Sequence, residues 1–216
     1  EIKEKKSIII LEGYFDFLQL YQSGIKNCVA ISGTAFTEQH ALQIKRYCNL
    51  VYIAYDGDTA GKSAAIRSGY ILLKSGLDPK IVSIPNGIDP DDWVKNEGNK
   101  PFLKAVNNSQ SLITFHFNNH STNIQTNNEK TQFANEVLLE LSNIDDPIIQ
   151  ELQIRTLAEL IQVSQTSIFN SMQNILLKKS KYKTTKTITD EVIQQDNKQQ
   201  LLEYDLVRLC FSKNKK

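Results

Sequence analysis

The carboxylates Glu12, Asp16, Asp56, Asp58, Asp89 and Asp91 fall in short clusters along the first hundred residues, and two clusters begin where an apolar run stops at a glycine-containing turn. Ser7-Ile8-Ile9-Ile10-Leu11 leads into Glu12-Gly13, and Leu50-Val51-Tyr52-Ile53-Ala54-Tyr55 leads into Asp56-Gly57-Asp58. Acids at the C-terminal ends of buried parallel strands converge on the crevice where α/β sheets take ligands. Crowded there they repel one another, and divalent cations that share them relieve the repulsion. The chemistry this suggests is magnesium-assisted handling of phosphates. Asp56 and Asp58, two residues apart, face the same side of an extended strand end and can share a cation. Asp16, four residues after Glu12, belongs to the first turn of a following helix and points back toward the same crevice. In Ile88-Asp89-Pro90-Asp91-Asp92 the proline stiffens the turn that presents Asp89 and Asp91. Ser32-Gly33-Thr34 offers backbone N–H groups suited to a phosphate. Lys62, Arg67, Lys45 and Arg46 are the cations nearest the crevice, with Lys62 directly after the acidic turn. Each cluster alone also has a plainer reading: a solvated turn, a surface cation, or, at 89–92, a helix start with Asp89 as N-cap and Pro90 in first position.

The elements that must position these groups follow from periodicity. Apolar runs at 7–11, 28–31, 50–55 and 80–84 read as buried strands, and 14–23, 37–47 and 59–75 between them read as helices. Thr37 is placed as an N-cap, and Gly24 and Gly76 as C-terminal stops. On the third helix Gly61, Ala64, Ala65, Ser68 and Leu72 share one face, small enough to press against a sheet. This alternation predicts an α/β fold with a parallel sheet flanked by helices and right-handed crossovers. After residue 100 no strand is expected. Helices at 101–107, 109–119, 129–142, 147–162 and 165–179 predict a small helical bundle, with a polar loop at 118–128. The basic, then polar, stretch 178–197 reads as a linker, and the apolar pattern at 201–210 as the start of another helix. The domain expectation is therefore 1–100, 101–179, a linker at 180–197, and the beginning of a further helical domain at 198–216.

Composition narrows the class. A chain of 216 residues with net charge +1 has no global charge for binding nucleic acid, so any such binding must be local. Cys28, Cys48 and Cys210 are too scattered for a zinc site or a disulfide framework and read as reduced thiols. His40, His116 and His120 lack ligand spacing, and Trp93 and Phe102 read as packing. No apolar run is long enough to span a membrane.

In order and spacing, Glu12-Gly13-Tyr14-Phe15-Asp16, Ser32-Gly33-Thr34-Ala35, Tyr55-Asp56-Gly57-Asp58-Thr59-Ala60-Gly61 and Asp89-Pro90-Asp91-Asp92 resemble the Toprim domain of bacterial replicative DNA primases of the DnaG type. The resemblance covers about residues 7–100 and, less closely, the helical part to about 178, which is similar to the rest of the polymerase core. It implies that Glu12, Asp56, Asp58, Asp89 and Asp91 hold catalytic Mg²⁺ or Mn²⁺, with Glu12, Asp56 and Asp58 at the centre. It places Tyr14, Asp16, Gly33, Thr34 and Lys62 at the nucleotide. The implied reaction is template-directed RNA primer synthesis from ribonucleoside triphosphates on single-stranded DNA, in the cytoplasm at the replication fork. A replicative helicase is the implied partner through the C-terminal region, at most begun at Leu201–Phe211. The family's zinc-binding domain and the basic subdomain before Toprim are not in this sequence, so zinc is expected only outside it. The chain is expected to be a segment that binds the metal but makes primers poorly alone. Phage primase–helicases and Toprim nucleases or topoisomerases are the alternatives; the former calls for a Walker A loop, and this sequence contains none.

Overall fold

A computed structural model describes residues 1–120 and 124–179. The elements in chain order are α1 (Ile2–Lys5), β1 (Ser7–Leu11), α2 (Tyr14–Gln22), β2 (Cys28–Ala30), α3 (Glu38–Lys45), β3 (Leu50–Ile53), α4 (Thr59–Lys74) and β4 (Asp78–Ile81). They continue with α5 (Pro90–Glu97), α6 (Asn99–Asn107), β5 (Gln110–Ser111), α7 (Leu112–Asn118), α8 (Asn127–Leu141) and α9 (Pro147–Ile161). Residues 165–179 are also helical. Glu1–Ser171 form one compact unit, and the few described residues beyond it end that last helix.

The sheet order is β2-β1-β3-β4-β5, with parallel pairing except between β4 and β5. All five residues of β1 are buried, which is why its sequence runs apolar without alternation. On one face Ile9 and Leu11 pack with Leu20, Trp93, Val94, Phe102 and Val106, so that α2, α5 and α6 cover it. The rings of Trp93 and Phe102 meet edge to face at 5.9 Å. On the other face Gly61, Ala65, Ser68 and Leu72 of α4 are buried, as the small-residue face predicts. The stops after α2 and α4 are also as expected. Gly24 and Gly76 have φ of 95° and 76°, and the paired bonds Gly24 N to Tyr21 O, Ile25 N to Leu20 O, Gly76 N to Leu73 O and Leu77 N to Leu72 O close the helices.

Three expectations shift. The strand predicted at 80–84 pairs at Asp78–Ile81, because Pro79 is tolerated at this point of the ladder while Val82 and Ile84 are buried after it. The strand at 50–55 stops at Ile53, leaving Ala54-Tyr55 as buried connection. A strand does follow residue 100: Gln110–Ser111 pairs antiparallel with Ile81 and Lys80. Two polar residues give no periodic signal, so their edge position is set by tertiary packing alone.

The helices after β5 bury Leu112, Ile113, Phe115, Phe133, Val137, Leu138, Leu141, Ile154, Leu157 and Ile161. Polar groups inside it are paired. Tyr70 Oη lies 3.0 Å from His116 Nδ1, His116 Nε2 lies 3.4 Å from Glu136 Oε1, and His120 Nε2 lies 3.3 Å from Glu136 Oε2. Phe133, fully buried, sits edge-on to the rings of His116, Phe117 and His120. The predicted linker 180–197 and the terminal helical start at 198–216, with Cys210, lie outside the described residues. Among the described residues no helix is long and apolar enough to cross a membrane.

Candidate metal centre

The strand order reverses direction between β1 and β3, because β1 is followed in the chain by β2 on one side while β3 lies on the other. Such a switch point opens a crevice at the C-terminal strand ends. Glu12 leaves β1 directly into it, and Asp56 enters it from the connection after β3. Asp89 arrives as the N-cap of α5, and Asp91 in the first turn of that helix. All four line one cavity of about 790 Å³, together with Asp16, Gly33, Thr34, Phe15, Tyr55 and Arg67.

Two chain segments are locked together beneath the acids. Gly57 N donates to Ile88 O at 2.9 Å, and a Cβ on Gly57 would lie 1.9 Å from the Pro85 carbonyl oxygen. Only glycine permits that crossing. Asp16 ties in a third segment: its Oδ2 accepts from Gly13 N at 2.9 Å, and its Oδ1 accepts from Asp91 N at 3.1 Å. Both carboxylate oxygens of Asp16 are thus engaged with backbone at the starts of α2 and α5. Burial pushes the Asp16 carboxyl up to about 6, against the lowering effect of those two hydrogen bonds.

Glu12 is the most exposed to conflict in the electrostatic sense. Its Oε1 is a buried oxygen with no hydrogen-bond partner. Burial raises its pKa first, and the charges of Asp56, Asp58 and Asp16 raise it further. Asp56 is raised by burial and then by Asp89, Asp58 and Asp91. Asp91 is raised by burial and by Asp89 and Asp92, although the Asp92 N–H lowers it. Asp89, Asp91 and Asp92 bring one carboxylate oxygen each within 4.8 Å of one another. An orphaned buried carboxylate oxygen beside mutually repelling acids is what a divalent cation would satisfy, and the all-oxygen donor set suits Mg²⁺ or Mn²⁺. The residues fit such an ion.

The remaining sequence candidates are placed differently. Asp58 does not line the cavity; it is the N-cap of α4, where its Oδ1 accepts from Gly61 N at 2.6 Å. Its charge still reaches Glu12 and Asp56. Tyr14 is exposed on α2, in a ladder with Phe17 and Tyr21, and also lies off the cavity wall. Lys62 faces a neighbouring cavity and donates to Asn86 Oδ1 at 2.5 Å. Lys45 donates to the Ser75 carbonyl at 2.7 Å. Asp89 and Pro90 do open α5 in the N-cap and first positions, so the helix-start reading and the crevice reading are both satisfied there. Sequence reasoning did not select Asp92 or Phe15. Asp92 adjoins the quoted Asp-Pro-Asp block, whereas Phe15, exposed at 76%, carried no signal beyond its place beside Asp16.

Fold and acid set define a Toprim-like α/β domain, and residues 9–94 match the family model described as Toprim-like. Residues 120–166 match a second model, the DnaB-helicase binding domain of primase. A DNA primase of Clostridium acetobutylicum is 36% identical over 169 residues, 76% of this chain and 28% of that protein. The crystal structure of a DNA primase domain from Pseudomonas aeruginosa superposes with a TM-score of 0.67 at 29% identity, covering 77% of this chain and 54% of that one. A DnaG primase catalytic domain bound to ssDNA gives a TM-score of 0.65 at 26% identity, covering 75% and 53%. The chain belongs to the bacterial, DnaG-type DNA primase family, of which it carries a segment. That segment spans about a quarter to a third of the length of the relatives it matches, 28% and 29% for two of them. The helicase-binding match falls on α8 and α9, upstream of the 198–216 segment expected from sequence to begin that contact.

Proposed function

We propose that this chain supplies the metal-binding, nucleotidyl-transferring part of a DNA primase, which joins ribonucleoside triphosphates into short RNA primers on a single-stranded DNA template. The observation that carries this is the partnerless buried Oε1 of Glu12 at the switch point, held among carboxylates that raise one another's pKa. In this reading Glu12, Asp56, Asp89 and Asp91 hold Mg²⁺ or Mn²⁺, with Asp58 adding charge from the cap of α4. When bound, the cations lower the pKa of the attacking 3′-hydroxyl and neutralise the leaving pyrophosphate. The chain's own residues fix geometry. Asp16 uses both oxygens to pin the starts of α2 and α5, so its role is positioning rather than ligation. Gly33 and Thr34 present backbone to the same cavity, where a phosphate would meet N–H donors. Tyr14 and Lys62, off the cavity wall, would meet only an extended substrate or the template.

The partner follows from the second family match: we place the helicase contact on α8 and α9, where Leu139, Ile148 and Leu152 are exposed apolar side chains. The template partner is suggested by the ssDNA-bound relative.

The test is Mn²⁺ binding by electron paramagnetic resonance, paired with primer synthesis by the intact primase. Asp56→Asn should lower Mn²⁺ affinity at least tenfold and primer synthesis on the order of a hundredfold or more, the scale of charge stabilisation by a catalytic metal. Wild-type Mn²⁺ affinity and wild-type synthesis in Asp56→Asn would overturn the assignment.

A further inference from the structure

The cavity that holds the acids has a second wall, and its charge is opposite. Ala64, Arg67, Ser68 and Ile71 line it from one stripe of α4, at the spacing of successive helical turns. Arg67, an exposed side chain, is the cation of that lining, which Glu12, Asp16, Asp56, Asp89 and Asp91 share. Yet it forms no ion pair and no side-chain hydrogen bond among the described residues. Of the other cations named from the sequence, Lys62 is engaged with Asn86 and Lys45 with the Ser75 carbonyl, and Arg46, at the C-cap of α3, does not line this cavity.

Beside Arg67 the same cavity meets the turn after β2. Ser32 and Gly33 take successive left-handed conformations, with φ of 55° and 75°. The N–H groups of Gly33, Thr34 and Ala35 donate to no backbone or side-chain acceptor among the described residues. Free N–H donors and an unpaired arginine lining one cavity can together receive an anion. The opposite wall, once cations are bound, presents those cations to an anion. Between them fits a polyanion long enough to touch both.

We propose that Arg67 grips the distal phosphates of the incoming ribonucleoside triphosphate, with the Gly33–Ala35 turn as its backbone partner, so that the triphosphate lies across the cavity from α4 to the acids. This rests on the nucleotidyl-transfer reading and gives it a direction: the α-phosphate sits at the acids and the tail points to α4. The planar fork of the guanidinium offers two parallel N–H donors to two phosphate oxygens, a fixed geometry that the point charge of a lysine ammonium lacks. Arg67 therefore discriminates by phosphate count, and nucleotides lacking the tail should not feel its loss.

The experiment measures ATP and AMP binding to this chain by calorimetry in saturating Mn²⁺, for wild type, Arg67→Ala, Arg67→Lys and Lys62→Ala, with thermal midpoints confirming that each is folded. Arg67→Ala should weaken ATP at least tenfold while AMP stays within twofold. Arg67→Lys should recover part of that loss, and Lys62→Ala should leave ATP within twofold of wild type. An unchanged ratio of ATP to AMP affinity in Arg67→Ala, or equal losses for both nucleotides, would overturn the assignment while leaving the metal reading intact. A loss in Lys62→Ala matching that of Arg67→Ala would do the same. A wild-type chain that binds Mn²⁺ but neither nucleotide would overturn this proposal and the nucleotidyl-transfer reading together.

Discussion

The two ends of α4 border regions built on opposite rules. Around its N-terminus, polar groups are brought together without satisfying one another: Glu12 Oε1 has no partner, and Glu12, Asp56 and Asp91 raise one another's or their neighbours' pKa. Along its later turns, at Tyr70, the buried polar groups of α7 and α8 are matched: tyrosine to histidine, and two histidines to one glutamate. The helical region spends its polar groups on its own specificity, and the crevice holds its polar groups open for a ligand. An unsatisfied buried acid in the second region would be a defect; in the first it is what the site consists of.

The largest effect is expected in the helical core. Phe133→Ala removes a fully buried ring that touches three aromatic neighbours, and should cost about 3–5 kcal/mol by urea denaturation. A loss below about 1 kcal/mol would mean that this core is not close-packed. Acid should then separate the regions by sign. The Asp16 carboxyl is raised from an ordinary 3.8 to about 6, so below pH 6 the native state holds a proton that the unfolded chain releases until about pH 4. The metal-free crevice therefore gains stability as the pH falls from 7 toward 5, on the order of 1 kcal/mol after allowing for solvent screening. His116 runs the other way: burial holds it below its ordinary value, only partly offset by Glu136, so acid protonates the unfolded state first and costs stability around α7. Amide exchange between pH 7 and 5, corrected for intrinsic rates, should slow at α2 and quicken at α7. A shift of the same sign in both would remove the contrast. The smallest effect is expected at Asp58→Ala. Loss of the N-cap costs about 1 kcal/mol, but relief of Glu12 and Asp56 offsets part of it, leaving a net destabilisation under about 1 kcal/mol in the metal-free chain. A loss above about 2 kcal/mol would mean that the crevice carries no repulsion to relieve.

Most of the parallel sheet was legible because its signals are local. Ile8–Leu11 must be buried on both faces, and Gly24 and Gly76 end helices by backbone conformation alone. What escaped was set by distant contacts. The edge strand Gln110–Ser111 exists because β4 offers it a partner, and α1 is a four-residue turn below any periodic signal. At the site, the acids at strand ends were readable from where apolar runs stop. Their backbone partners were not: Asp58, expected at the metal, caps α4 with one oxygen, and Asp16, expected at the nucleotide, binds two backbone N–H groups. Lys62 and Arg67 differ in sequence only by position on the helix, and five residues of rotation put them in different cavities.

The crossing at Gly57 reaches further than its own contacts. Because its absent Cβ would overlap the Pro85 carbonyl, the acid loop after β3 and the one before α5 cannot separate or approach independently. The spacing between Asp56 and the Asp89–Asp91 pair is thereby held by backbone, as a gauge block is held by its neighbours, before any ion arrives. The glycine between two aspartates in the sequence is the imprint of one segment passing under another, and the distance it sets is the yardstick against which, under the proposed function, a cation's radius would be measured.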